Sequence, residues 1–298
     1  MTVTDVLTCC SVSDDGNLIV CGTALGTLHY WIMSPSFHGV LQITDESILT
    51  VKLHGKSVVL IGTRDNFSMI ETLDAWPNIN HSFSVPIGIA CITCISQTRF
   101  VLGSVSNGNI LLFDPSSRQL SSLIKTSLAS VICLVSASPD TIYAAGKGSA
   151  DVYCIDLPSN SITSKWASST KSTETMSMTI DNNSHWLCVV TASPRTYTSF
   201  ISLVCLKAFP IASIDSIEAP GPVTDIAFLG LSVIASSFGP SHYRVKLDGS
   251  VQSLQAISSS GVKGVEVSAR SGVVVMYGVE GLLILNEDLI PEFSLSLD

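Results

Sequence analysis

The sequence predicts an all-β fold, a seven-bladed β-propeller of four-stranded antiparallel blades, and three observations carry that reading. Residues 6–32, VLTCCSVSDDGNLIVCGTALGTLHYWI, set three apolar runs around two tight turns, at Asp14-Asp15-Gly16 and at Gly26. Connections that short join only antiparallel neighbours, so the stretch reads as a meander. The pattern then recurs. A glycine closes the second run at Gly22, Gly62, Gly103, Gly146 and Gly278, with equivalent slots near Ala192 and Ser237, in steps of 40, 41, 43, 46, 45 and 41 residues. Finally, one four-stranded unit of that period cannot bury both of its faces, so neighbours must stack around an axis. Seven units with little chain left over make one closed ring.

The chain of 298 residues divides into units of about 3–43, 44–85, 86–126, 127–169, 170–217, 218–258 and 259–298, read together as a single domain over 1–298. The first unit is the stretch quoted. The second has Leu49–Leu53, Ser57–Gly62, a turn at Arg64-Asp65-Asn66 and Phe67–Leu73. In the third, Ile92–Ile95 and Phe100–Gly103 precede the turn Ser106-Asn107-Gly108 and the strand ending Phe113-Asp114; Asn-Gly favours a hairpin because both residues tolerate positive φ. The fourth has Val131–Val135, Thr141–Gly146 and Asp151–Asp156, followed by a Ser/Thr-rich loop over Ser168–Thr175. The fifth diverges most, with Met176–Ile180, Trp186–Thr191, a longer connection Ala192–Thr198 and Phe200–Leu206. Pro210 then marks an edge strand or bulge, since proline cannot donate to a ladder. The sixth opens after Pro220-Gly221-Pro222 with Val223–Phe228, Leu231–Ser236 and Tyr243–Leu247. The seventh has Val262–Val267, Val273–Gly278, Leu282–Leu285 and Phe293–Leu297.

The order of features in the first unit, a strand, a Ser-x-Asp-Gly turn, a strand ending Cys21-Gly22 and then a Gly-Thr turn leading to Trp31, resembles one repeat of the WD40 family. Phe113-Asp114, Ile155-Asp156 and Asp248 stand where that family has Trp-Asp; Trp31 is followed by Ile32, and no Gly-His pair occurs anywhere. The repeats therefore keep the hydrophobic blocks and are expected to lose the polar network joining Gly-His to Trp-Asp. The first and last units each account for their own strands, so closure is expected to rest on face-to-face packing, the alternative being an outer strand lent by a partner.

Composition narrows the function. Charged residues make up only 13%, hydrophobic residues 46%, and the mean hydropathy is +0.46, against roughly 25% charged in typical soluble domains. Such a surface is either Ser/Thr-rich or partly covered by a partner. A formal charge of −9 argues against direct nucleic-acid binding, which wants a Lys/Arg-rich face. No apolar run approaches the roughly 18 residues of a membrane helix, and the N-terminus MTVTDVLTCC does not look like a secretory signal. The nine cysteines, an odd number set within apolar strands, fit a reducing, intracellular compartment, cytoplasmic or nuclear. Cys91 and Cys94 have the spacing of a metal or redox pair, yet residues three apart on a strand point to opposite faces and there is no second pair.

Nothing in the sequence assembles a catalytic site. The six histidines are scattered; Gly146-Lys147-Gly148-Ser149 lies between strands and not ahead of a helix; Asp14-Asp15 and Glu287-Asp288 fall in turns. No cofactor, metal or small-molecule substrate is expected, and the chain is read as a non-enzyme. The resemblance implies a non-catalytic protein-protein interaction scaffold, a propeller subunit of an intracellular multiprotein complex. It also implies the binding face: the loops between second and third strands, with Leu25, Arg64, Lys147, Arg195, Tyr197 and Phe238, and the entry loops, with Asp45 and Lys125. Arg, Tyr and Phe are residue types that anchor interfaces. Two alternatives stand beside this reading, a propeller hydrolase or lyase with a metal or carboxylate site at the central channel, and a reader of modified peptides.

Overall fold

The computed structural model describes residues 5–72, 79–96, 98–167, 174–193, 198–207, 212–213, 216–239, 241–254, 261–268 and 270–295. They form seven antiparallel sheets and, among the described residues, no helix. Blade 1 is β1 (Leu7–Val12), β2 (Leu18–Thr23), β3 (Thr27–Ile32) and β4 (Phe37–Gln42). Blade 2 is β5 (Ile48–His54), β6 (Val58–Thr63), β7 (Phe67–Thr72) and β8 (Ile79–Val85). Blade 3 is β9 (Ile89–Ser96), β10 (Arg99–Ser104), β11 (Asn109–Asp114) and β12 (Gln119–Lys125). Blade 4 is β13 (Ser130–Ser138), β14 (Thr141–Lys147), β15 (Ser149–Asp156) and β16 (Ser161–Ala167). Blade 5 is β17 (Glu174–Ile180), β18 (Trp186–Ser193) and β19 (Thr198–Cys205), its outer place shared by β20 (Ala212–Ser213) and β21 (Ile217–Glu218), which both pair with β19. Blade 6 is β22 (Val223–Leu229), β23 (Ser232–Ser237), β24 (Tyr243–Lys246) and β25 (Val251–Ser253). Blade 7 is β26 (Val262–Val267), β27 (Val274–Gly278), β28 (Gly281–Leu285) and β29 (Pro291–Leu295). Of the expected loop Ser168–Thr175, Glu174 and Thr175 belong to β17, and of the expected connection Ala192–Thr198, Ala192 and Ser193 belong to β18 and Thr198 to β19; the rest of both, and the Pro210 edge, lie outside the described residues.

The innermost strands β1, β5, β9, β13, β17, β22 and β26 pack side by side around one axis, and β26 meets β1 to complete the circle. Each carries a register shift at its second or third residue, which leaves Thr8, Leu49, Ala90, Ile132, Met176, Thr224 and Lys263 without a ladder partner. A bulge bends its strand and re-aims the side chains beside it. Here it turns the next residue forward onto the following blade. Cys9 Sγ donates to Ile48 O (3.8 Å), Cys91 Sγ to Val131 O (3.3 Å), Cys133 Sγ to Met176 O (3.6 Å) and Ser177 Oγ to Asp225 Oδ1 (2.6 Å). Asp225 completes the series by accepting from Val265 N (3.1 Å). In blade 7 the same position is Gly264, and the Tyr277 hydroxyl occupies the space a side chain would take.

The seven apolar clusters correspond one to each interface between neighbouring blades. The second strands read as near-continuous buried runs, LIVCGT in β2 and SVIASS in β23, because both faces of every blade are covered. Closure has the same character. Leu7, Cys10, Ile19, Cys21 and Trp31 of blade 1 pack on Val275, Tyr277, Leu282 and Ile284 of blade 7, and Ser268 Oγ donates to Asp14 O (2.8 Å) across the seam. Both blades hold four consecutive strands of their own, so among the described residues no strand is exchanged between first and last blades.

The recurrent glycine proves to be two positions. Gly22, Gly62 and Gly103 sit opposite the residue after the bulge, where a Cβ would strike the next blade at Ile48, Ile89 and Val131. Gly146 and Gly278 pair one residue earlier, with Val131 and Val262, where a Cβ would strike the entry backbone at Ser130 and Gly261. The slots without glycine follow from this: Thr191 and Ser237 occupy the second position in blades 5 and 6, opposite Thr175 and Val223.

Substituting Gly22→Ala should force Ile48 away and cost about 1–3 kcal/mol, the usual range for overpacking. Gly55→Ala, in a turn with open space around it but positive φ, serves as the contrast and should cost about 1 kcal/mol; urea unfolding of the two variants checks the difference. Hydrogen exchange should find β1 and β26 as protected as β9 and β13, since the closing cluster is as apolar as the others.

Candidate functional site

All seven innermost strands start at one end of the ring, the entry face, and antiparallel order brings the loops between second and third strands to the same end. Leu25 lies between β2 and β3, Arg64 between β6 and β7, Lys147 at the end of β14 and Phe238 after β23. Asp45 precedes β5, and Lys125 ends β12. All six are exposed on this face. They belong to blades spread around the ring, so they share a face without forming one cluster. Arg195 and Tyr197 lie outside the described residues.

One group does come together. Gly261 N donates to Phe238 O (2.9 Å) and Val279 N donates to Gly261 O (3.1 Å), which knits the loops of blades 6 and 7. Phe238 is 53% exposed, Val279 is also exposed, and Leu25 occupies the corresponding turn of blade 1. Three exposed apolar side chains thus stand on consecutive blades across the seam. Val279 was missed from sequence; its signal was an apolar residue in the tight Gly278-Val279-Glu280-Gly281 turn, where a polar one is usual.

The polar scaffold of this face is rebuilt, not lost, in the first two blades. Asp5, ahead of β1, accepts from Leu25 N (3.1 Å) and Thr27 Oγ1 (2.8 Å), and Thr23 and Thr27 share a 2.7 Å hydrogen bond. Glu46, ahead of β5, accepts from Thr63 Oγ1 (2.8 Å), Asp65 N (3.3 Å) and Asn66 Nδ2 (3.3 Å). A carboxylate in the entry loop therefore does the work expected of a histidine. Burial pushes the Asp5 carboxyl up, but donors from Thr23, Thr27, Val6 and Leu25 together hold it below the usual range. At the opposite end the Asp residues ending third strands shape turns: Asp114, Asp156 and Asp248 accept from Ser116 N (2.8 Å), Ser159 N (3.0 Å) and Ser250 N (2.8 Å).

The channel carries a second set of groups that sequence could not converge. A cavity of about 380 Å3 is lined by Lys52, Asp225 and Glu266 among otherwise apolar and hydroxyl side chains. Asp225 joins three blades through Ser177, Val265 and its own neighbour Ile226, whose N–H donates at 2.9 Å. Burial raises its carboxyl to about 6 against the pull of those hydrogen bonds, and nearby Glu266 adds to the rise. Burial also raises Glu266, opposed by Lys52. Cys91 packs with the cluster between blades 3 and 4 and Cys94 with that between blades 2 and 3, so the two thiols face apart as the strand geometry requires. His29 and His242 are buried, His29 stacking on Trp31 and His38, and His242 accepting from Ser237 N (3.2 Å). Asp15 of the first turn is partly exposed and pairs with Lys56 at 2.5 Å.

Fold and face together define a seven-bladed β-propeller with a loop-built entry face. No family model matches the chain, and no curated protein matches it. No helix of the described residues is long and apolar enough to cross a membrane.

The raised Asp225 carboxyl makes stability depend on pH. A folded value near 6 against an unfolded value near 3.9 means that its contribution is full below about pH 4 and is lost as pH rises through about 6. Glu266 on β26, Cys133 on β13 and Tyr277 on β27 face it, and Lys52 on β5 faces Glu266. We expect unfolding free energy to rise by about 1–1.5 kcal/mol between pH 7.5 and pH 5, and Asp225→Asn to flatten that slope in urea titrations at each pH.

Proposed function

We propose that this chain is a WD40-like propeller serving as a non-catalytic interaction scaffold, a subunit of an intracellular multiprotein complex in cytoplasm or nucleus. The observation that carries the reading is the exposed apolar arc of Phe238, Val279 and Leu25 on consecutive blades of the entry face. Large exposed apolar residues gathered on loops that a rigid disc holds in place are what an interface needs. The repeat period, the Asp-led turns after β11, β15 and β24, and the Ser13-to-Gly16 turn support the family likeness. Nine unpaired cysteines support a reducing compartment. Asp225, Ser177, Cys9, Cys91 and Cys133 of the innermost strands are engaged in tying blades together, which favours a structural use of these groups.

Phe238→Asp and Val279→Asp, singly and together, should leave the far-ultraviolet spectrum and thermal transition unchanged and strip partners from the chain purified from its native cell. Leu231→Asp, on the opposite face at a residue 75% exposed, should retain them. Retention of every partner by the double variant would sink the proposal.

A further inference from the structure

Sheets that radiate from one axis diverge outward, so a contact between outer strands needs bulky apolar residues to span the widening gap. Six interfaces have them. Leu41 of β4, Phe83 of β8, Ile124 of β12, Trp166 of β16, Ile217 of β21 and Leu254 just past β25 each pack on the cluster shared with the following blade. At the seam between blades 7 and 1, among the described residues, nothing from β29 does so.

The residue placed to do it is present. Phe293 pairs with Ile284, which belongs to the seam cluster, so its ring lies on the side facing blade 1, yet it is 55% exposed. The facing wall comes from β4. Val40 pairs with His29, itself paired with the cluster residue Cys21, and is 51% exposed; His38 stacks on Trp31 with ring centroids 4.7 Å apart. Ile290, in the β28–β29 turn, is exposed as well. Among the described side chains, Phe293 and Val40 thus stand exposed on facing sides of the outer seam.

Its electrostatics are one-sided. Asp288 and Glu292 are both exposed on the turn and strand that carry Ile290 and Phe293, and neither is in an ion pair among the described residues, whereas Glu287 lies against Gly272. Desolvating Phe293 and Val40 supplies affinity, whereas unpaired rim carboxylates select the sign of the partner and speed its approach.

We infer that the groove between β29 and β4 is a docking site for a partner protein's amphipathic segment that presents bulky apolar anchors beside a basic flank. The site lies on the outer rim, apart from the entry-face arc, so the two can fail separately.

The test uses random 12-residue peptides displayed on phage, selected on the full chain and counter-selected on Phe293→Asp. The retained sequences should pair two or more bulky apolar residues with Lys or Arg. A synthetic copy should bind Phe293→Asp and Val40→Asp at least tenfold more weakly than the unaltered chain. It should weaken severalfold in the double variant Asp288→Asn, Glu292→Gln, or when salt is raised, and bind Phe238→Asp normally. Val40→Asp keeps the test valid should Phe293→Asp fail to fold. Retained peptides without basic residues, or equal binding by both wall variants, would overturn the inference. So would sedimentation showing a dimer that either wall variant dissociates, because a second copy would then fill the groove.

Discussion

The structure depends on one repeated distortion, the bulge near the start of every innermost strand. A regular strand would send alternate side chains to the two faces of its own blade and leave the strand's backbone to meet the next blade unaided. The bulge turns a small polar residue forward, and Cys9, Cys91, Cys133, Ser177 and Asp225 use that turn to reach the following blade. The residue type is limited to small groups that can donate or accept in a buried place, since an unpaired polar group there costs about 1–3 kcal/mol. Cysteine at three of these places is thus explained by hydrogen bonding and packing, without redox chemistry or metal.

The same distortion lines the upper channel. Leu49, Ala90, Ile132 and Met176, freed from their ladders, surround the cavity that reaches down to Asp225 and Glu266. The carboxyl of Asp225 accepts from three donors in a place that desolvates it, and burial raises it to about 6. Stability and proton affinity are therefore coupled at a single residue near the axis. Buried groups of this kind mark functional sites in many proteins, but here the hydrogen bonds account for the placement.

The fold was legible because it is written in local signals. Turn residues such as Asn107-Gly108, which adopt positive φ, and the strand-length apolar blocks specify each hairpin from neighbours in sequence. Leu25, Asp45, Arg64, Lys125, Lys147 and Phe238 stand on the entry face, since the meander order alone dictates which loops emerge together. What did not follow was their grouping. Arg64 and Lys147 stand blades apart, whereas Phe238 meets Val279 through Gly261, a contact made by two loops 41 residues apart in the chain. The polar links of the entry face were not legible either, because Asp5 and Glu46 make them from the entry loops, without a Gly-His pair.

By itself the sequence determined the class of sheet, the number of blades and the end at which each loop emerges, because these follow from strand length, turn chemistry and chain order. Tertiary structure alone decided how blades grip one another and where they do not. The two meanings of the recurrent glycine, the joining of three blades at Asp225 and the exposure of Phe293 at the seam all depend on how residues distant in the chain are brought together. Such contacts depend on the angle between sheets and on the register within them, and a one-residue bulge in seven strands is enough to change both without leaving a mark in the hydrophobic pattern.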